Sequence, residues 1–583
     1  VGASVVEKGT HNAVVTDVDG KFSLKLGGKG NEIEVSYIGF TTQTIKATGK
    51  MVITLQEDQH SLQELVVVGY QSMRKTDVVG AVASVKAGEL NTSTNSIGES
   101  LVGKVAGVQI AQVSGAPYKS TKIRVRGTAS INASSDPLYV IDGYPSSGDL
   151  LLDPEDIASI EVLKDAASAA IYGSRAAGGV VIITTKRGQS GKAKVGYDFQ
   201  LGVNSLAKKV KLLNSSQFAD LVVDGRNNYY KRLLISKGIA WDDSYYGDTN
   251  AQRAQRLGSS NSAVNIPEFL YDFDKQEVIT PQYDTDWQDE LYRTAISQRH
   301  HITVNGGSDK VRYDLSGSFM DLAGIVRTSQ QRRLNFRGNI DAKINDHLSV
   351  GANFSHVSNW NREIDEGRFD HGPILGALIY APIFRCYDDN GNLVKGEMAS
   401  YSSQYGFQQI ENPVALAEET KIRRSGDRNT YNFNVAYEPL KDLTLKANLG
   451  MYTYYEKYEY YRPTSLSTGA YQPGSPQAQA AAYDISTSAH TNDYLGEFTA
   501  NYNHSWAGVH NFSGVAGYSI QKHEYDILGV KGTGYEDDHI EEITGHGADP
   551  SDLSLYDTSK SNWAMLSYFT RLNYNYRSTY YLT

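Results

Sequence analysis

From residue 191 to 583 the chain alternates apolar and polar residues with a period of two, stretch after stretch. In Val311–Phe319, the residues Val311, Tyr313, Leu315 and Phe319 share one side, and Arg312, Asp314, Ser316 and Ser318 the other. In Arg333–Lys343 the apolar side is Leu334, Phe336, Ile340 and Ala342; the polar side holds Arg333, Asn335, Arg337, Asn339, Asp341 and Lys343. Thr430–Tyr437, Leu443–Tyr455 and Leu566–Arg577 repeat the pattern. Period two predicts strands whose successive side chains point to opposite faces. Strands of a soluble sandwich average about five or six residues, whereas several here exceed the roughly ten that a tilted membrane strand needs. Tight turns are expected at Gly306–Asp309, Asn345-Asp346, Pro439–Asp442, Ala507-Gly508 and Ser578. Between them fall longer connections at about Ser205–Ile296, Asn361–Arg423, Arg462–His490 and Gly529–Asp557, with a short one near Leu322–Thr328. Alternating short and long connections suit an outer-membrane barrel with periplasmic turns and extracellular loops. About ten strands are expected, with Tyr580 opening the next.

The front of the chain has a different texture. Residues 1–57 predict short strands at Val14-Val15, Phe22–Leu26, Ile33–Tyr37 and Val52–Leu55, with an Asp19-Gly20 hairpin turn. Residues 58–75 form a linker carrying one β-branched strand, Leu65–Val68. Residues 76–190 predict a mixed α/β domain: a short helix at Ile97–Gly103, and strands at Val108–Ala111, Ile123–Arg126, Leu138–Asp142 and Ile160–Leu163. Asp165–Ile171 is alanine-rich and favours helix, Gly173 ends it, and Val180–Thr185 is a continuous β-branched run suited to a buried strand.

Composition narrows the class. The net charge of −10 argues against a nucleic-acid partner, since phosphate binding needs clustered Lys and Arg. A single cysteine, Cys386, excludes an internal disulfide framework and a multi-cysteine zinc site. No run of eighteen apolar residues exists and mean hydropathy is −0.42, so no transmembrane helix is expected. A barrel averages out hydrophilic, so a membrane is not excluded. Forty tyrosines against sixteen phenylalanines suit interfacial girdles, which favour rings with a polar tip.

Several motifs carry a family resemblance. Ser159–Gly188 (SIEVLKDAASAAIYGSRAAGGVVIITTKRG), Leu101–Ile110, Ile123–Gly127 and Pro137–Gly143 resemble the plug of the SusC/RagA family of TonB-dependent transporters. Thr16–Leu24 and Ser36–Phe40 are similar to that family's carboxypeptidase-regulatory-like front domain, and Pro373–Phe384 with Tyr387–Asn392 to its extracellular structure. The resemblance covers essentially the whole chain and is closest from about Asp17 to Gly188. It implies a β fold: a transmembrane barrel, of 22 strands in full, enclosing an N-terminal α/β plug behind a small β-sandwich. The expected divisions are 1–57 for the sandwich, 58–75 for a linker with a TonB box, 76–190 for the plug and 191–583 for the first part of the barrel. The opening at Val1 in mid-domain and the stop at Thr583 are expected to mark a fragment at both ends.

The strand before the plug could pair with another protein's sheet edge by β-augmentation; an ordinary strand of either neighbour fits the pattern as well. Its position ahead of a plug favours a TonB box at Glu64, Leu65, Val66, Val67, Val68 and Gly69. The resemblance implies the partners: TonB, powered through ExbB/ExbD, and a SusD-like lipoprotein lid. It implies import of an oligosaccharide or oligopeptide, glycans being the commoner cargo, in the outer membrane of a Bacteroidetes-type bacterium. A siderophore or cobalamin importer is the alternative within the architecture, and a structural or adhesive surface protein, which has no need of a TonB box, the alternative outside it.

Other chemistry is weak. Gly98–Lys104 nearly spells a phosphate loop, but Val105 stands where the hydroxyl ligand belongs. His11 is alone, and Asp17-x-Asp19 reads as a solvated turn rather than a calcium loop. Asp537, Asp538, His539, Glu541, Glu542 and His546 crowd one loop without metal-ligand spacing. His300 and His301 are adjacent on a strand and cannot ligate jointly. No HExxH, GxSxG or Cys/His arrangement appears, so no catalytic residue, cofactor or metal is expected. Loop aromatics beside carboxylates, namely Trp241 with Tyr245 and Tyr246, Trp287, and Trp360, could stack and hydrogen-bond sugar rings. The plainer reading, that they pack the loops together or meet a lid, is preferred.

Overall fold

The computed structural model describes residues 3–8, 10, 12–17, 20–27, 32–37, 42–55, 65–69, 71–74, 81–127, 135–146, 151–367, 372–468, 471–543, 551, 553–577 and 579–583. At the front, strands β1 (Ser4–Glu7), β2 (Ala13–Val15), β3 (Glu32–Ser36) and β4 (Gln43–Lys46) form an antiparallel sheet in the order β2-β1-β3-β4. Val5, Ile33 and Val35 make its small core. The expected strands at Phe22–Leu26 and Val52–Leu55 join no ladder; Phe22, Leu24, Leu26, Ile53 and Leu55 instead cover that core. Gln43–Lys46 supplies the fourth strand in their place. His11, Asp19 and Ile38–Phe40 lie outside the described residues.

A hairpin of β5 (Leu65–Val68) and β6 (Gln71–Arg74) leads into the plug. The plug holds β7 (Val82–Lys86), β8 (Val108–Gln112), β9 (Thr121–Val125), β10 (Leu138–Ile141), β11 (Tyr144–Ser146), β12 (Ile157–Leu163) and β13 (Val180–Thr185). Five of these form a mixed sheet ordered β11-β10-β13-β12-β7, with β10 and β13 parallel. Strand β13 is central and apolar on both sides: Val181 and Ile183 enter one core cluster, Val180 and Ile182 the other. That two-sided burial is why Val180–Thr185 reads as an unbroken β-branched run. The helix expected at Asp165–Ile171 is brief, Ala166–Ala169 capped by Asp165. A 3-10 stretch over Ala170–Ala176 follows, interrupted by Gly173 at φ +66°.

The remainder is one eleven-stranded antiparallel sheet: β14 (Gly191–Asn204), β17 (Ala295–Gly307), β18 (Val311–Ala323), β19 (Gln330–Lys343), β20 (Leu348–Glu363), β21 (Lys421–Leu440), β22 (Leu443–Arg462), β23 (Tyr483–Trp506), β24 (His510–Thr533), β25 (Leu553–Tyr576) and β26 (Tyr580–Leu582), each paired with its neighbour in chain order. A two-residue ribbon, β15 (Tyr271-Asp272) with β16 (Glu277-Val278), sits in the first long loop. Strands of 13 to 24 residues meet at tight turns such as Lys441-Asp442, where Asp442 takes φ +72°. Ser578, expected in a turn, lies outside the described residues. At the opposite ends, β23 and β24 run further than expected, shortening two loops to 463–482 and 534–552.

The largest departure from expectation is in the first loop. The long connection expected at about Ser205–Ile296 contains the 22-residue helix Ser215–Ser236. Asn214 and Gln217 form a capping box at its start, and Ala219, Val223, Tyr230 and Leu234 bury one stripe. With Pro373–Ile379 and Pro413–Glu419 it builds a roof whose core gathers Leu270, Trp287, Ala377, Phe384 and Val414.

Pleat direction sorts the barrel wall as the alternation predicts. Arg333, Asn335, Arg337 and Asn339 are buried on the inner face, while Phe336 (49% exposed) and Ile340 stand on the outer one. Phe336→Arg should therefore lower barrel stability by about 2–4 kcal/mol, the cost of a cation on the lipid face near mid-membrane. Denaturant titration of barrel folding into lipid vesicles would measure it; a loss below about 1 kcal/mol would place Phe336 away from hydrocarbon.

Candidate transport path and coupling strand

The inner face of the wall grips the plug through polar groups. Arg299 on β17 is 3% exposed, with its guanidinium 3.4 Å from Asp153 Oδ1 and 3.5 Å from Glu155 Oε1. Asp153 also caps the short turn Pro154–Asp156 by accepting from the Glu155 amide. Two residues along, His301 Nε2 lies 3.0 Å from Asp156 Oδ1. On β19, Arg337 donates to Thr185 Oγ1 and, at 2.9 Å, to the Lys186 carbonyl, while pairing with Asp314 at 3.4 Å. Asn339 donates to the same carbonyl at 2.7 Å. Arg333 and Asn335 reach the Asn95 and Leu151 carbonyls at 3.1 and 3.3 Å. Below them Arg187 donates to Asn353 at 2.6 Å and pairs with Asp142 and Asp341 at 3.4 and 3.5 Å. Further round, Asn432 donates to the Asp142 carbonyl at 3.1 Å and Arg175 to Gln521.

These contacts make the seam exchangeable. A typical hydrogen bond nets only about 0.5–1.5 kcal/mol because water replaces it when it opens. Among the described residues, buried atoms such as Arg299 Nε, Arg333 Nε, Asn335 Oδ1 and Asn339 Oδ1 have no protein hydrogen-bond partner, and groups of that kind are satisfied by ordered water. A domain held this way can shift without uncovering an apolar core. Of the inward groups, the alternation in sequence marks Asp314, Ser316 and Ser318 on β18, the polar side of β19, and one of the opposed pair His300 and His301. His300 indeed turns outward against Phe199, with ring centroids 4.9 Å apart. The ion pairs of Arg299 with Asp153 and Glu155, and the hydrogen bond between His301 and Asp156, were missed. The available signal was a basic pair on inward positions of one strand, and a run of acids at a plug turn.

Of the proposed TonB box, Leu65–Val68 is the strand β5, and Gly69 at φ +66° makes the turn to β6. Glu64 lies outside the described residues. Strand β5 pairs with β6 on one side, and among the described residues no strand pairs with its other side. The next described anchor along the chain is Ala81, whose amide donates to Asp165. Burial raises the Asp165 pKa, but the bonds from the Ser168 and Ala81 amides outweigh it and hold the carboxyl below its usual range. After Ala81 comes β7, the edge strand of the plug sheet, paired among the described residues with β12 alone.

The candidate substrate residues are not gathered into one site. Trp241 packs edge-on against Tyr230, Tyr245 and Tyr246, with centroids 6.1, 5.6 and 5.0 Å away, and donates its indole N–H to Asp243 at 2.9 Å. The Arg256 guanidinium lies over Tyr245 at 4.0 Å. Two candidates are corrected outright. Trp287 is 3% exposed in the roof core, its N–H spent on the Ala381 carbonyl at 3.1 Å, so no ligand reaches it. Trp360 is 48% exposed but on the outer face of β20, beside Arg332 and Ser425, where an interfacial girdle ring belongs. In the acidic loop, Asp538 accepts from Tyr461 and Thr464, Glu541 pairs with Lys421, and Asp537 holds His539 at 3.0 Å. His546 lies outside the described residues. Among those described, no three His, Cys, Asp or Glu side chains converge as metal ligands.

Comparison with known proteins agrees with this geometry. Residues 74–180 match the model of the TonB-dependent Receptor Plug Domain, and residues 1–67 that of the CarboxypepD_reg-like domain. The whole chain is 31% identical to the TonB-dependent receptor P3 of Formosa agariphila and 30% identical to the TonB-dependent receptor SusC of Bacteroides thetaiotaomicron, covering 52% and 54% of those proteins. It thus spans about half the length of the curated relatives it matches. Among solved structures it is similar to the RagAB peptide importer in its closed-closed state, at 25% identity and a TM-score of 0.67 over 86% of this chain and 54% of that one.

Removing the central wall cation tests the grip. Arg299→Leu leaves Asp153 and Glu155 facing a buried site without their guanidinium, a change that costs several kcal/mol when a pair is fully buried. Amide exchange across Ile157–Leu163 should accelerate roughly 10- to 100-fold, equivalent to about 1.4–2.7 kcal/mol, while exchange in the wall strands stays unchanged. Unaltered plug protection would show that Arg299 does not hold it.

Proposed function

Since this chain belongs to the SusC-like TonB-dependent receptors, which are outer-membrane β-barrel proteins, we propose that it serves active import of a nutrient oligomer, an oligosaccharide, under a SusD-like lipoprotein lid. The observation that carries this reading is the polar seam between wall and plug, from Arg299–Asp153 to Arg187–Asn353. A plug seated by water-replaceable bonds can be displaced and reseated, which an importer needs and an adhesin does not. In this reading TonB adds a strand to β5, and work enters the plug at the Ala81–Asp165 contact and the edge strand β7. The energy is the inner-membrane proton gradient, relayed through ExbB/ExbD. The folded roof over Ser215–Ser236 and Pro373–Ile379 would carry the lid; its exposed Leu221, Tyr229 and Phe269 fit an interface enriched in large apolar groups. Relatives named as receptors rather than enzymes agree with the absence of a catalytic constellation in the sequence. A second reading, oligopeptide import, is favoured by the similarity to a solved peptide importer.

Deleting residues 65–69 should abolish uptake while leaving barrel assembly and binding of the lipoprotein intact. Wild-type growth of the deletion strain, on a nutrient whose use requires the intact gene, would remove the coupling assignment. Purification of the wild type from native membranes in mild detergent should bring a SusD-like lipoprotein with it; a transporter running alone would argue for a lidless importer.

A covalent lock tests whether the plug must move. Asn339 Nδ2 lies 3.2 Å from Thr185 Oγ1 across the seam, so Thr185→Cys with Asn339→Cys should cross-link on oxidation. Cys386 is buried and will not interfere. Uptake should fall to background when oxidised and return with reductant. Transport unaffected by a quantitative cross-link would mean that this part of the plug stays in place.

A further inference from the structure

The inner face of β22 carries a series of partly exposed aromatic rings that continues past its contact with the plug. At Gly450 the plug ring of Tyr144 sits so close that a β-carbon would come within 2.5 Å of it. Beyond that contact, toward the roof, the next inward positions are Tyr452, Tyr454, Glu456, Tyr458 and Tyr460. Successive inward residues on a strand are about 6.6 Å apart, so the series runs about 26 Å. Its upper end touches the roof: Tyr460 donates to Asp365 at 2.8 Å and stacks on Tyr483, centroids 5.3 Å apart and planes 11° from parallel.

The neighbouring strand holds these rings in place. Arg428 lies over Tyr454 at 4.3 Å and Arg424 over Tyr458 at 4.4 Å. Arg424 is itself clamped by Glu363 at 3.0 Å and Glu456 at 2.6 Å, and Tyr454 donates to Glu456. Two consequences follow for a ligand. The rings are fixed before anything binds, so stacking on them costs little ordering entropy. The wall's cations are also shared among its own rings and carboxylates, leaving no concentrated field to select a charged cargo. A neutral pyranose chain matches such a surface, because each sugar has an apolar C–H face for a ring and hydroxyl edges for phenols, guanidinium and carboxylate.

We propose that the inward face of β22, Tyr452 to Tyr460 with Arg424 and Arg428, is a binding ladder that leads a neutral oligosaccharide from the roof to the plug. The proposal rests on the import reading above and gives the cargo its track. Its central rungs are Tyr454 and Tyr458; Trp241, Tyr245 and Tyr246, which belong to the first long loop and not to β22, are outside it.

The test uses the full-length transporter with its co-purifying lipoprotein, titrated with neutral hexasaccharides of glucose, xylose, mannose and N-acetylglucosamine, and with a hexapeptide pool. At least one hexasaccharide should bind the wild type. Tyr454→Ala and Tyr458→Ala should each weaken that binding about 5- to 20-fold, while Tyr454→Phe and Tyr458→Phe stay within about twofold, since the ring and not the hydroxyl does the stacking. Should the alanine variants assemble poorly, Tyr458→Leu keeps the volume, drops the ring and carries the same expectation. Saccharide binding that survives unchanged in the alanine or leucine variants overturns the ladder and leaves the import reading standing. A wild type that binds the peptide pool and no hexasaccharide overturns the ladder and the oligosaccharide cargo together, with TonB-dependent import intact. Binding of neither overturns the ladder too.

Discussion

A backbone amide in hydrocarbon has no water to bond, so every N–H and C=O of a spanning segment must be met by a neighbouring strand. The eleven-stranded ladder from β14 to β26 is the answer this chain gives, and the rest of the molecule is arranged around it. Continuous pairing forces each strand into a flat period of two. Lipid takes one side, as at Phe336 and Ile340, and the polar half of the sequence is left lining the inside. Those inward groups cannot all stay buried without partners. The plug meets a large share of the demand: Thr185 and Lys186 answer Arg337 and Asn339, and Asp153, Glu155 and Asp156 answer Arg299 and His301.

The same constraint explains what the sequence makes legible. A strict alternation over Arg333–Lys343 admits one register once a face is known to be apolar, so wall orientation, strand order and tight turns follow from pattern alone. The plug's central strand is equally plain, because burial on both faces leaves Val180–Ile183 wholly apolar and the run β-branched to Thr185. The roof is harder to read. Ser215–Ser236 carries polar and charged residues around most of its circumference, and only a narrow stripe from Ala219 to Leu234 is buried. Its capping box is visible in the letters, yet Asn and Gln three apart occur in loops too. Aromatic residues mislead for a related reason. A tryptophan beside carboxylates reads the same whether it lines a cavity, the less favoured of the two readings for Trp287, or fills a core, as Trp287 does. Only the partner of its indole N–H, the Ala381 carbonyl, separates the cases.

Polar seating also decides what kind of machine the assembly can be. An apolar interface costs about 25 cal/mol for each Å² uncovered, so parting a well-packed one exposes an adhesive surface. Hydrogen bonds and ion pairs to water-accessible groups lose far less, because solvent restores them on each opening. The plug keeps its apolar residues in its own two clusters, on either side of β13. It therefore contains a core that holds its fold and a rim that can let go. The edge strand β7 stands between the two regimes: one ladder to β12 fixes it, and its free side faces no other strand of that sheet. In the proposed coupling, work arriving through Ala81 would meet the Asp165 cap and then this single ladder before the double-sided burial of β13. The order of resistance along the chain thus rises from hairpin to edge strand to centre. A pull from the front would remodel the rim of the plug before it could reach the core.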